Sequence, residues 1–129
     1  MSAPSVGPIV KRLSQEQIGR YADAVGDHNP IHIDEAFARA TPLGGTIAHG
    51  MLVLASISEM MTAGFGDAWL ASGKLRVRFR APGRPSDTIT ASAEPQAARD
   101  GGALVYAVEC RNQDGELLIS GTAEVAANG

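Results

Sequence analysis

The chain is organised around residues 21–51, which read YADAVGDHNPIHIDEAFARATPLGGTIAHGM. It holds all three histidines of the chain, a cluster of acidic residues, an Asn-Pro break and a Gly-Gly break. It leads directly into GMLVLASISEMM, the most apolar helical segment of the sequence. Polar side chains capable of chemistry are therefore joined, within one short run, to a segment expected in the core.

The residues around this stretch carry clear helix signals. Ser14 and Gln17 match a capping box, and apolar residues then recur at helical spacing until Gly26, a typical C′ residue. Pro30 disfavours helical angles at the preceding residue, so DHNPIHID is predicted to be an irregular turn. Asp34 is positioned to cap a second, short helix through EAFARA.

A third helix is predicted from His49 or Gly50 to about Met61, with Gly64 and Gly66 after it. This segment is apolar on nearly every side. A helix without a polar face is normally buried, so we expect it in the core.

The second half of the chain alternates apolar and polar residues, as strands do. Strands are predicted over residues 74–80, 88–97, 103–111 and 116–125, with a weaker one over residues 9–13. Asp114-Gly115 marks a tight hairpin turn, and a further turn is expected over residues 99–102. Helices followed by a meander of antiparallel strands predict an α+β fold in which the apolar helix covers one sheet face.

Size, charge and cysteine content limit the function. The chain has 129 residues, enough for one domain, within which residues 1–6 are expected to be a loose terminus. Its formal charge of −3 does not favour nucleic acid or an acidic membrane as a partner. The apolar run GMLVLASISEMM is too short to span a bilayer and contains Glu59. The single cysteine, Cys110, cannot form an internal disulfide, which favours a reducing compartment, and we expect a cytoplasmic protein.

The motifs GDHNPIHID and GGTIAHGM closely resemble those of the MaoC-like hydratases, the (R)-specific enoyl-CoA hydratase and 3-hydroxyacyl-thioester dehydratase family. The resemblance extends from about Ser14 to the last strand. It implies a single hot-dog domain, in which an antiparallel sheet wraps a long central helix, and a homodimer. It also implies reversible hydration of trans-2-enoyl thioesters to (R)-3-hydroxyacyl thioesters, with no cofactor. The substrate would be a thioester of coenzyme A or of acyl carrier protein.

Transferred residue by residue, the family's catalytic pair falls on Asp27 and His32. The glycine whose backbone N–H holds the thioester carbonyl falls on Gly50. An active-site serine of some members falls on Ser58, and Asn29 matches the motif. Histidine suits proton transfer near neutral pH, and a free N–H at a helix start stabilises a developing enolate oxygen.

Simpler interpretations exist for several of these residues. Asp27 alone fits an Asx turn, and His32 alone fits a satisfied polar side chain near the core. His49 is placed with the substrate-binding residues, although a cap or packing role is favoured for it. Ser58 is as readily explained by a hydrogen bond to its own backbone. Asn29 is expected to shape the turn and orient the catalytic pair.

Other chemistries fit the sequence less well. The three histidines lie near Asp27 and Asp34, but Pro30 disfavours a helix presenting them on one face, so no metal site is predicted. Cys110 is expected to be inert core. The basic residues Lys74, Arg76, Arg78, Arg80 and Arg84 fit a solvated sheet face, from which one or two can reach the phosphates of coenzyme A.

Two other functions compete with a hydratase. A non-catalytic acyl-thioester-binding subunit would complete a heteromeric hydratase. A hot-dog thioesterase would need a catalytic carboxylate on the central helix, where Glu59 is the candidate. The sequence leaves acyl chain length, pathway and physiological direction open.

Overall fold

A computed structural model describes residues 3–98 and 101–126. The helices are α1 (Gln15–Val25), α2 (Pro30–Ile33), α3 (Glu35–Arg39), α4 (Gly50–Phe65) and α5 (Asp67–Ser72). The strands are β1 (Ile9–Arg12), β2 (Lys74–Phe79), β3 (Thr88–Pro95), β4 (Leu104–Arg111) and β5 (Leu117–Val125). All five strands pair antiparallel in one sheet of order β1-β3-β4-β5-β2.

The sheet is a meander only over its three central strands, β3, β4 and β5. Strand β2 lies beyond β5 and β1 beyond β3, so the prediction of a simple meander is wrong for β2. The close pairing of β2 with β5 depends on Gly121, opposite Val77. A side chain at residue 121 would collide with the β2 backbone at the Arg76 carbonyl and the Val77 Cα.

Helix α4 lies across the sheet and supplies much of the core. Its buried residues are Val53, Ser56, Ile57, Met60 and Met61. All of them except Ser56 belong to one apolar cluster with side chains of the central strands. Fully burying an aliphatic side chain stabilises the fold by about 1.5–3 kcal/mol.

The other side of α4 departs from the prediction of burial all round. Met51, Ala55 and Glu59 are exposed, because the sheet of this chain covers only one side of the helix. Helix α4 therefore has more apolar surface than the sheet of this chain covers.

Two segments form helices that the sequence interpretation missed. The predicted irregular turn contains α2, which begins at Pro30, because proline suits the first position of a helix. Helix α4 continues through Gly64 and ends at Gly66, and α5 follows at once, anchored by buried Trp69. The two glycines had indicated an earlier end of α4.

The chain before β1 is packed, in contrast with the loose terminus expected for residues 1–6. The Tyr106 hydroxyl donates to the Pro4 carbonyl at 2.7 Å. Val6 is buried, with its methyl groups against Gly64 of α4. Residues 1 and 2 lie outside the described residues, as do Arg99 and Asp100 of the turn predicted over 99–102. Within the described ranges, none of the helices has the length and apolar character needed to cross a membrane.

Candidate active site

Three elements bring Asp27, His32 and His49 together. Asp27 follows the C-cap of α1, His32 lies in α2, and His49 is the N-cap of α4. One carboxylate oxygen of Asp27 and one ring nitrogen of each histidine lie within 4.8 Å of one another. Asp27 and His32, which are five residues apart, thus form one compact polar cluster with His49 at the start of the central helix.

The local backbone places the Asp27 carboxylate at the surface of this cluster. Gly26 adopts a left-handed conformation, with φ 75°, which turns the chain out of α1. Asp27 Oδ1 accepts the backbone N–H of Asn29 at 3.2 Å, the Asx turn that the sequence allowed. A carboxylate has two oxygens and about four lone-pair directions, so capacity remains for a water or substrate. The turn and a catalytic role are therefore compatible.

The His32 ring is held by its own hydrogen bond. His32 Nδ1 donates to the Ile47 carbonyl at 2.8 Å, because a carbonyl can only accept. In the neutral ring this leaves Nε2 as the hydrogen-bond acceptor. The backbone is anchored as well, since Gln15 Nε2 donates to the His32 carbonyl at 2.8 Å. The side chain is 8% exposed, so the ring combines a fixed orientation with limited access to solvent.

A second layer of hydrogen bonds holds the segment that carries the Ile47 carbonyl. The Glu35 carboxylate accepts both the hydroxyl and the backbone N–H of Thr46, at 2.9 and 3.2 Å. The Thr46 hydroxyl first, then its N–H, and then Arg39 lower the pKa of Glu35 below its ordinary value. Sequence reasoning missed this network, because Glu35 was interpreted only as a first-turn residue of a short helix.

Gly50 begins α4 beside this cluster. The first N–H groups of a helix have no intrahelical acceptor and lie at its positive end. A cleft of about 280 Å³ opens beside Gly50, and its lining does not include Asp27, His32 or His49. It is lined by Ile47, Ala48, Gly50, Val53, Phe79, Arg80, Ala81, Pro82, Gly83 and Ile119. A Cβ at residue 50 would lie 3.0 Å from the Phe79 ring, so glycine keeps this end of the cleft open.

The side chains of Asn29 and Ser58 each accept a hydrogen bond that stabilises the local structure. Asn29 caps α2, its side chain accepting the Ile31 N–H at 3.2 Å, as expected of a residue that shapes the turn. The Ser58 hydroxyl accepts the Trp69 indole N–H at 3.3 Å. Ser56, rather than Ser58, bonds back to the helix backbone, at the Val53 carbonyl.

The histidine geometry favours proton transfer over metal binding. The His32 and His49 rings are stacked, with centroids 3.8 Å apart and planes 23° apart. An imidazole nitrogen binds a metal through a lone pair that lies in the ring plane. Two nearly parallel, stacked rings cannot both direct such lone pairs at one ion. His28 is exposed and pairs with Asp23 at 2.8 Å, outside the cluster.

The remaining candidates lie away from the cleft or at its rim. Glu59 forms a surface ion pair with Lys11 at 3.0 Å and does not line the cleft. Cys110 is buried, and burial raises the pKa of its thiol. Arg80 lines the cleft and donates to the Ser120 hydroxyl at 3.0 Å. Arg84 donates to the Leu43 carbonyl at 2.7 Å.

A five-stranded antiparallel sheet packed on a long central helix defines the hot-dog fold. The polar cluster lies where the loops after α1 meet the start of that helix. Residues 6–114 match the family described as the MaoC like domain, and the chain belongs to this family.

Several named relatives are hydratases or dehydratases. The chain is 29% identical over 119 residues to the (R)-specific enoyl-CoA hydratase of Aeromonas caviae, covering 89% of this chain and 87% of that protein. It is 40% identical over 74 residues to 3-hydroxyacyl-thioester dehydratase Z of Mycobacterium tuberculosis, covering 54% of this chain and 49% of that protein. The chain thus spans about half the length of that relative.

A solved structure supports the fold assignment over nearly the whole chain. The (R)-hydratase from A. caviae involved in PHA biosynthesis superimposes with a TM-score of 0.83 at 27% identity. The match covers 98% of this chain and 96% of that one.

Proposed function

We propose that this protein is a hydro-lyase that reversibly hydrates trans-2-enoyl thioesters to (R)-3-hydroxyacyl thioesters. The observation that carries the proposal is the convergence of Asp27 and His32 beside the start of α4. Family membership and the relatives named as hydratases and dehydratases support the reaction class. The R configuration follows the name of the Aeromonas caviae relative.

In the proposed reaction, Asp27 and His32 share one water molecule. An O–H bond of the water breaks and its oxygen bonds to C3 of the enoyl group. The C2–C3 π electrons shift towards the thioester, and a proton bonds to C2. The carboxylate and His32 Nε2 provide the two acceptors that orient the water and relay its proton.

Negative charge develops on the thioester oxygen during this step, and the start of α4 is suited to receive it. We assign that role to the Gly50 N–H, which lies at the positive end of a 16-residue helix. Removing one such donor typically costs about 10²–10³ in kcat. The reaction needs no cofactor.

The cleft beside Gly50 is proposed to hold the acyl thioester. Most of its lining is apolar, which suits an acyl chain, and Arg80 lies at its rim. Lys74, Arg76 and Arg78 are exposed along the neighbouring strand β2. We assign contacts with the phosphates of coenzyme A, or of a carrier protein's prosthetic arm, to Arg80 and one residue of this strand.

A homodimer is also proposed. Met51 and Phe79, which flank the start of α4, are 59% and 54% exposed, although both are large and apolar. Strand β2, which carries Phe79, is an edge of the sheet. A second copy would cover this surface, and light scattering of the purified protein tests it. The cytoplasmic location stays a prediction from the cysteine content.

The reaction is tested by product analysis with crotonyl-CoA and a longer trans-2-enoyl-CoA. We expect loss of the conjugated enoyl absorbance, a product heavier by one water, and no free thiol. Asp27→Asn should abolish the change while the variant remains folded. Release of free thiol would instead indicate a thioesterase. Activity that appears only with a second protein would indicate a subunit of a heteromeric enzyme.

A further inference from the structure

His49 has a side chain that the start of α4 does not use. It occupies the N-cap position, yet it makes no side-chain capping hydrogen bond. His49 is only 4% exposed. Burying an imidazole ring costs hydration free energy, which the contacts of the ring must offset. The sequence favoured a cap or packing role for His49, and of these two the side-chain cap is absent.

The contacts of His49 reach both members of the proposed catalytic pair. Its ring stacks on His32, with centroids 3.8 Å apart. Its Nε2 donates to the backbone carbonyl of Asp27 at 3.0 Å. On a further side the ring contacts Tyr21 of α1, with centroids 4.9 Å apart. One side chain thus links the backbone of Asp27, the ring of His32 and helix α1.

We propose that His49 is a positioning residue, which fixes the orientation of His32 and the backbone at Asp27 during the hydration step. This proposal rests on the proposed function. The hydrogen bond to Asp27 assigns the proton of the neutral His49 ring to Nε2. The opposite nitrogen, Nδ1, is buried with no hydrogen-bond partner, so a proton there would lack an acceptor. The surroundings therefore select one tautomer and one ring orientation.

Loss of the stacking contact or of the hydrogen bond made by His49 should lower kcat more than it changes KM. The hydrogen bond from Nδ1 fixes one point of the His32 ring, and stacking on His49 limits the tilt of the ring towards that side. The carboxylate of Asp27 follows its backbone, which His49 holds from one side. A misplacement of about 1 Å between reacting groups can cost about 10²-fold in rate.

Two substitutions separate the two contacts. His49→Phe keeps an aromatic ring for stacking and removes the N–H donor, whereas His49→Gln keeps a donor and removes the ring. We expect each variant to lower kcat about 10- to 100-fold with KM changed less than about threefold. The matched control is His28→Gln, because His28 is exposed and outside the cluster, and its kcat should stay at the wild-type value.

Nitrogen-15 spectra of the imidazole rings provide a readout that does not depend on activity. In the wild type, His32 should show a single tautomer with its proton on Nδ1. In folded His49→Gln protein, this signal should shift or broaden towards tautomer exchange. Should the spectrum of His32 change while the wild type hydrates no enoyl thioester, the proposed function fails and the positioning role stands.

Several outcomes would overturn the inference. Unchanged kcat in both folded variants would do so, as would a raised KM at constant kcat, which would make His49 a substrate contact. An unaltered His32 spectrum in both variants would also contradict it. If circular dichroism shows a variant to be unfolded, His49→Asn is the replacement that keeps a short amide donor, and the same criteria apply.

Discussion

Alanine at residue 50 should remove activity without removing stability. The Gly50 backbone is not in the left-handed region, so alanine adopts its conformation without backbone strain. The new Cβ would lie 3.0 and 3.2 Å from two carbons of the Phe79 ring, which must move by a few tenths of an ångström. Within one chain Phe79 is 54% exposed, so its ring has room for a shift of this size.

The expected magnitudes for stability and activity differ. Alanine restricts the unfolded chain more than glycine does, which raises the free energy of unfolding by about 0.4–1 kcal/mol. The displacement of the Phe79 ring acts in the opposite direction. The net change in the free energy of unfolding should therefore stay within about 1 kcal/mol. The methyl group would project into the cleft, where the thioester oxygen must come within about 3 Å of the N–H. We expect kcat to fall about 10²- to 10³-fold.

The assay compares initial hydration rates and urea unfolding of Gly50→Ala with those of Gly64→Ala. Gly64 lies in the same helix, 14 residues further on and thus about 21 Å away, and its added Cβ would contact Val6 at 3.1 Å. The control should change stability and leave the rate unaltered. Wild-type activity in Gly50→Ala, or equal losses in both variants, would refute the role assigned to the start of α4.

Three further predictions concern the surroundings of the site. Ser58→Ala should leave kcat unchanged but lower the free energy of unfolding by about 1–3 kcal/mol, since the buried Trp69 N–H loses its acceptor; a lost rate at unchanged stability would argue for a catalytic serine. Cys110 should react with a thiol reagent only after denaturant unfolds the protein, and rapid labelling of the native state would contradict its burial. Thr46→Val should lose stability relative to wild type above the ordinary Glu35 pKa of 4.5. Because the pKa of Glu35 is lowered in the folded state, the difference in the free energy of unfolding between wild type and variant should shrink as the pH falls through this lowered pKa. A difference that stays constant from pH 7 to 3 in unfolding titrations would disprove the link between Thr46 and Glu35.

Local signals in the sequence predicted the parts of the fold that depend on neighbouring residues. Ser14 caps α1 through the Gln17 N–H, Gly26 ends that helix in a left-handed conformation, and Asp34 caps α3. These contacts span only a few residues, so the sequence contains both partners of each. The pair of Asp27 and His32 was predicted from the resemblance of the motif GDHNPIHID to the MaoC-like hydratases, and the two residues do lie in one cluster.

Long-range features were not predictable in the same way. Alternation identified β2 as a strand but carries no information on its neighbour, and the pairing with β5 depends on the backbone approach at Gly121. The link between Glu35 and Thr46 has no motif. The apolar character of α4 predicted burial on all sides, whereas the sheet of one chain covers only one. We attribute the apolar residues on the uncovered side of α4 to contact with the proposed second copy.

In the proposed mechanism, Asp27 and His32 act together on one water molecule. The most direct measurement is the hydration rate of crotonyl-CoA in Asp27→Asn, His32→Asn and the double variant, each shown to be folded. Groups that act as a unit are non-additive, so each single variant should lose about 10³-fold or more and the double variant little beyond that. Losses that multiply, or a single variant with wild-type activity, would contradict the shared-water mechanism.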